Sequence, residues 1–132
     1  MDILPTMIDA GLVRLQIGIE SGDQQVIDAY NKHVKIDDIV EFVTYAAACG
    51  LTQIATNFIV GGPAESPGAT ATLIKTLIDR APGIIDIITG FLRAYPGTEI
   101  MDNPEKFNLV LHDQSGRLSG DDYPFVTPVG CS

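Results

Sequence analysis

Apolar and polar positions follow two periods along the chain, and the change from one period to the other marks its elements. Met7 to Ala10 reads as the end of a helix stopped at Gly11. Leu12-Val13-Arg14-Leu15-Gln16-Ile17-Gly18-Ile19 then places apolar side chains at alternate positions, the pattern of a half-buried strand. Glu20-Ser21-Gly22 ends that strand. Ser21 stands three residues before Gln24, the spacing in which a hydroxyl and a glutamine side chain cap each other's backbone amides, so a helix is predicted to start there. Val26, Ile27 and Tyr30 share one face of it. A second helix is predicted from Ile36, with Ile36, Ile39, Val40, Val43 and Ala47 at helical spacing, Asp37 and Asp38 in its first turn and Gly50 at its end.

The second strand is predicted over 52–60 and runs into Gly61-Gly62-Pro63, which cannot continue a ladder. Ser66-Pro67 reads as a cap followed by proline at the first helical position, and Leu73, Ile74, Leu77 and Ile78 form the apolar stripe of the helix that follows. Ala81-Pro82-Gly83 closes it. Residues 84–92 form a third strand, apolar on both faces around Asp86 and Thr89, as expected of a strand buried in a parallel sheet. The order β-α-α-β-α-β predicts an α/β fold, either part of a doubly wound sheet or an arc of a parallel (β/α) barrel. Residues 1–100 make up this partial (β/α) domain; beyond them Asn103-Pro104, Gly116, Gly120 and Pro124 predict an irregular C-terminal tail over 101–132, with one short element near Phe107.

Composition narrows the function classes. With 8 basic and 17 acidic residues among 132, the net charge is −9, which disfavours a nucleic-acid partner. No apolar run reaches the length of about 18 residues that crosses a membrane, so no membrane partner is expected. Acids in place of a basic leader segment at the N-terminus point to a cytoplasmic protein. The two cysteines, Cys49 and Cys131, are too few and too far apart to make a metal site; Cys49 reads as a helix-packing residue and Cys131 as a thiol on a loose end. An arc of three strands leaves two unpaired edges, so a homo-oligomer or association with further strands is expected.

Four segments in fixed order carry a resemblance: Gln16-Ile17-Gly18-Ile19-Glu20-Ser21-Gly22, Asn31-Lys32-His33, Phe58-Ile59-Val60-Gly61-Gly62-Pro63-Ala64-Glu65 and Tyr95-Pro96-Gly97-Thr98. Together they resemble the radical S-adenosylmethionine (radical SAM) superfamily, with the methylthiotransferase and cobalamin-associated Fe-S oxidoreductases as the nearest branch. The resemblance implies a TIM-barrel-like partial barrel in which a [4Fe-4S] cluster, held by C-x3-C-x2-C after the first strand, reduces S-adenosylmethionine to give a 5′-deoxyadenosyl radical. The matched segments correspond to the fourth, fifth and sixth strands of that barrel. The cysteine triplet is absent, so the chain is expected to be a later part of a core whose N-terminal half is its partner, inactive alone and holding neither cluster nor cofactor by itself.

The resemblance also assigns site residues. Glu20 and Ser21 stand where polar groups meet the ribose and methionine portions of the cofactor. Lys32 stands where a cation pairs with the cofactor carboxylate. Ile59, Gly61, Gly62, Pro63 and Glu65 form the glycine-rich turn against the adenine, and Tyr95 and Pro96 line the sixth-strand exit. Asn57 replaces the acid found in many relatives. His33 reads as a capping or surface residue, and His112 receives no role. No catalytic residue and no metal ligand is assigned. Two other readings stay open: a non-catalytic scaffold derived from the barrel, and an unrelated (β/α) enzyme using Glu20 and Glu65 as acid and base. Anaerobic reconstitution of the isolated chain with iron and sulfide should yield no thiolate-to-iron absorption, because no cysteine triplet is present to hold a cluster. A stoichiometric cluster would refute the assignment of missing strands.

Overall fold

The computed structural model describes residues 3–63, 66–112 and 123–130. Proline at the N-terminus of α1 (Leu4–Asp9) and Gly11 beyond its end, at φ +103°, bracket the first helix. The alternating run forms β1 (Arg14–Glu20), two residues later in starting than the pattern predicts. α2 (Gln24–Ala29) and α3 (Ile36–Ala48) follow, then β2 (Gln53–Val60), α4 (Pro67–Arg80) and β3 (Ile85–Phe91). The strands form one parallel sheet in the order β1-β2-β3, so the predicted α/β arc is the observed architecture.

The cap of α2 is not the one predicted. Asp23 is the N-cap, its carboxylate accepting from the Gln25 amide at 2.9 Å, while the Ser21 hydroxyl accepts from the Asp23 amide at 3.1 Å. Gln24 does not return to Ser21. Its carbonyl oxygen accepts from the Ile36 amide (3.0 Å) and its amide nitrogen donates to the Val34 carbonyl (3.0 Å), tying α2 to the start of α3. A carboxylate one residue before the helix satisfies the free amides and suits the helix dipole better than a hydroxyl two residues further out. Gly50, at φ +92°, ends α3 where predicted and lets the Leu51 amide return to the Ala46 carbonyl at 3.1 Å.

The helices cover one face of the sheet. Ile19, Ile54 and Phe58 meet Ile27, Val43, Ala46, Leu73 and Leu77 in the main core. Gln16, Gln53, Asn57 and Asp86 project from the opposite face, where Gln16 donates to Asn57 at 3.3 Å and Gln53 to Asp86 at 2.7 Å, with Arg14 3.9 Å from Asp86. Asp86 thus lies on the face opposite the helices, bonded across strands.

Two expectations are corrected. β3 is not buried on both faces: Ile87, Ile88 and Phe91 are exposed, because β3 is an edge strand and no helix returns over its outer side among the described residues. For the same reason Ile78 on α4 is 44% exposed and leaves the buried stripe that Leu73 and Leu77 keep. The stretch read as an irregular tail also contains ordered elements. After α5 (Glu99–Asp102) and a 3-10 turn (Pro104–Phe107), β4 (Leu109–His112) pairs antiparallel with β5 (Phe125–Pro128). Leu92, Ala94, Leu109 and Val126 form a second small core there. The Gly and Pro density had pointed to loops, but the apolar residues between the breakers find each other across the chain.

The other edge of β5 meets the β3 exit. Leu92 donates to the Val60 carbonyl (2.9 Å) and accepts from the Val126 amide (3.1 Å), and Ala94 donates to Pro124 (3.0 Å). β5 thus takes over as neighbour of the β3 exit where β2 stops. Phe58 is 2% exposed in the main core and is the largest of its fully packed side chains. Phe58→Ala should lower unfolding free energy by about 3–5 kcal/mol in a denaturant titration, the usual range for an aromatic-to-alanine cavity.

Candidate functional site

The carboxyl ends of the three strands lie side by side, and the candidate residues gather there. Pairing between β1 and β2 runs in step as far as Gly18 opposite Asn57, then slips so that Glu20 faces Phe58. The extra residue is a bulge, and Glu20 itself adopts φ +71°, a left-handed conformation rare for a side chain with a Cβ. Together the slip and the left-handed turn aim the Glu20 carboxylate back over Gly18. A Cβ at Gly18 would lie 2.5 Å from Glu20 Oε1 and 3.0 Å from Lys32 Nζ, so a larger residue there would make the ends of these two side chains shift.

Lys32 arrives from the turn after α2, where Asn31 and His33 adopt φ +55° and +52°. Its ammonium donates to Glu20 Oε1 at 2.5 Å and to the Gly18 carbonyl at 2.7 Å. Both side chains are largely shielded, at 29% for Lys32 and 18% for Glu20. The pair closes on itself through one carboxylate oxygen. Glu20 Oε2 takes no partner among the described residues.

Ser21 turns the other way. It is fully buried, and its hydroxyl lies 3.4 Å from that of Thr70 on the first turn of α4, whose oxygen also accepts from the Gly22 amide at 2.9 Å. A Cβ at Gly22 would sit 2.5 Å from both the Ala69 carbonyl oxygen and Thr70 Cα. Gly22 therefore brings the exit of β1 into backbone contact with α4. The remaining glycines of the site behave alike: a Cβ at Gly61, φ +88°, would lie 3.2 Å from the Val126 carbonyl oxygen of β5, and one at Gly62 would run into the Tyr30 hydroxyl. These turns are close-packed against the protein itself.

Ile59 packs against the second core beside Leu92 and Val126. Pro63 is half-buried in the turn, and Glu65 lies outside the described residues. Tyr95, 51% exposed, sits against Tyr123 with ring centroids 4.7 Å apart, and Pro96 beside it is exposed. Arg93 holds this contact by donating to the Tyr123 carbonyl at 2.9 Å. The structure thus brings Glu20 and Lys32 together, sets Ser21 behind them, and places Ile59, Gly61, Gly62 and Pro63 at the neighbouring strand end. His33 is exposed and His112 bonds Thr127 at 2.7 Å.

Thr70 was absent from the sequence-based assignments, although a signal existed. It shares a helical face with Leu73 and Leu77, so a polar group was bound to be buried there and in need of a partner. The part of β5 had no signal, since Val126 contributes backbone atoms.

The family model described as the radical SAM superfamily matches residues 1–77, more than half of the chain. The chain belongs to the radical SAM superfamily. Among solved structures, it is similar to coproporphyrinogen III oxidase (HemN) from Escherichia coli, described as a radical SAM enzyme, with a TM-score of 0.55 and 22% identity over 67% of this chain. The matched region is 20% of that enzyme, so this radical SAM chain spans about a fifth of its length. No curated protein matches the chain. No helix among the described residues is long and apolar enough to cross a membrane.

Family cofactors fit the residues present unequally. No group of three or more His, Cys, Asp or Glu residues among the described ones could hold a metal ion; Cys49 is the C-cap of α3, and Cys131 lies outside the described residues. S-adenosylmethionine carries ribose hydroxyls, and the open acceptor on Glu20 suits a hydroxyl donor. The glycine contacts yield a test of the packing. Gly22→Ala should cost about 1–3 kcal/mol of stability by driving the β1 exit from α4, as overpacking does. Gly68→Ala, with nothing within 4 Å of its Cβ on the same helix, should be neutral or gain up to about 1 kcal/mol. Equal effects of the two in denaturant unfolding would refute the close contact.

Proposed function

We propose that this chain is the later part of a radical SAM core and carries the adenosyl side of the S-adenosylmethionine site. The observation behind this is Glu20: a carboxylate at a parallel strand's carboxyl end, turned onto the inner face, with one oxygen bound to Lys32 and the other open. Ligands of parallel α/β folds bind at that end of the sheet. Oε2 accepts from a ribose hydroxyl, while Lys32 fixes the carboxylate and supplies positive charge near the methionine carboxylate. Tyr95 and Pro96 flank the adenine side at the exit of β3, and the turn through Gly61, Gly62 and Pro63 forms the wall between them.

The strands before β1 and the cluster they hold belong, in this reading, to an N-terminal half of the same protein; on the strand-end motifs we assign the parent to the methylthiotransferase and cobalamin-associated branch. When bound, the cluster and S-adenosylmethionine supply the radical chemistry of the family, and this chain's residues orient the adenosyl group for it. Without that half the chain is inactive, and its two open sheet edges, β1 and β3, lead it to self-associate. Membership in the superfamily removes the reading as an unrelated acid–base enzyme, and Glu20 is engaged by Lys32.

Losing the iron that holds the methionine end removes several kcal/mol, and each ~1.4 kcal/mol is tenfold, so affinity falls to the millimolar range. Where ligand-observed saturation transfer at millimolar S-adenosylmethionine shows binding, the ribose and adenine protons should be the ones that saturate, and Glu20→Ala should abolish that signal. Saturation left unchanged by Glu20→Ala would overturn the site.

A further inference from the structure

Glu20 is the one strand residue among those described that holds a left-handed backbone with a full side chain. Such a conformation persists only where its surroundings over-determine it. On one side β2 holds it, with Glu20 opposite Phe58. On the other side the next two residues enter a partly buried chain of hydrogen bonds. The Gly22 amide donates to Thr70 Oγ1 at 2.9 Å, the Ser21 and Thr70 hydroxyls lie 3.4 Å apart, and the Asp23 amide donates to Ser21 Oγ at 3.1 Å. Thr70 is 9% exposed and Ser21 not at all, so water does not substitute for either hydroxyl.

From this geometry we infer that Thr70 is a positioning residue: its hydroxyl, on the first turn of α4, anchors the turn after β1 and thereby keeps the Glu20 carboxylate folded back over Gly18 within reach of Lys32. Thr70 belongs to the helix that follows the glycine turn of β2, so one hydroxyl joins the exits of two neighbouring strands. Shape alone does not account for the contact. Gly22 already brings the backbones together, and a valine at position 70 would preserve that fit; what the hydroxyl adds is an acceptor for an amide that has no other.

The role is separable from shape by comparing Thr70→Val, which keeps the volume, with Thr70→Ser, which keeps the hydroxyl, in the full 132-residue chain. Two readouts need no cofactor. Hydrogen exchange of the Gly22 amide should accelerate at least tenfold in Thr70→Val and stay near wild type in Thr70→Ser, while Ala55 and Thr56 in β2 keep their protection as the control for folding. The strong intraresidue amide–Hα cross-relaxation of a positive-φ residue should weaken at Glu20 in Thr70→Val alone. If Thr70→Val proves unfolded, Thr70→Ala takes its place. Glu20 keeping its left-handed signature in the folded variant, or Gly22 keeping its protection, would overturn the inference.

A third readout rests on the cofactor reading above. Saturation of S-adenosylmethionine protons should fall at least threefold in Thr70→Val and recover in Thr70→Ser; a signal equal to wild type in Thr70→Val counts against a positioning role. No saturation in the wild-type chain refutes the cofactor reading, and the first two measurements still decide the case of Thr70.

Discussion

Parallel pairing is the constraint from which the rest of this structure follows. Two parallel strands cannot be joined by a tight turn; the chain must cross back along the whole length of the sheet, and helices do this with their backbone groups satisfied. β2 is bonded on both sides, to β1 and to β3, and each strand is reached by a helical return over the same face. The consequence is directional. All three strands point the same way, all three exits emerge at one end, and the polar exits Glu20-Ser21-Gly22, Gly61-Gly62-Pro63 and Tyr95-Pro96 become neighbours although 75 residues separate the first from the last, from 20 to 95.

Much of this was legible because it rests on periodicity. The alternation through Leu15, Ile17 and Ile19 foretold which side chains meet the helices, and the glycines at 11, 50 and 83 ended helices or turns with the positive φ that only glycine adopts cheaply. What was not legible depended on partners distant in sequence. β3 has the composition of a buried strand, yet burial is decided by what lies beyond it, and no neighbour among the described residues covers that edge. The C-terminal pairing of β4 and β5 was masked by the glycines and prolines around it. Among the site residues, Glu20 and Lys32 had been assigned separate roles toward a ligand; that they engage each other depends on a bulge at Ile19 and on the path of the turn after α2, neither of which has a local signature.

Magnitudes explain why the Glu20 corner needs more than its ion pair. A left-handed residue with a Cβ costs about 1–2 kcal/mol. A partly exposed lysine–carboxylate pair contributes about 0.2–1 kcal/mol, less when salt is present, so by itself it leaves the strain unmet. Each hydrogen bond of the partly buried Ser21–Thr70–Gly22 chain adds about 0.5–1.5 kcal/mol net, and leaving the Gly22 amide without a partner would cost about 1–3 kcal/mol. The ion pair alone falls short of the strain, and the clamp supplies the remainder. The pair then acts as an orienting device and the clamp as its foundation, consistent with Ser21 facing inward instead of toward a ligand.

The same reasoning applies to the glycines. A glycine turn at the mouth of a parallel sheet suggests a cradle for a ligand, but here the space above each one is occupied by the chain itself: α4 over Gly22, β5 over Gly61 and Tyr30 over Gly62. Close packing at these points makes the strand ends rigid, and rigidity is what a site needs if a carboxylate is to be held within a fraction of an ångström of a ribose hydroxyl. In the proposed site, ligand contact therefore falls to the side chains that such packing leaves available, Glu20 with its open oxygen and Tyr95 with half its surface exposed, and the glycines contribute by removing the slack beneath them.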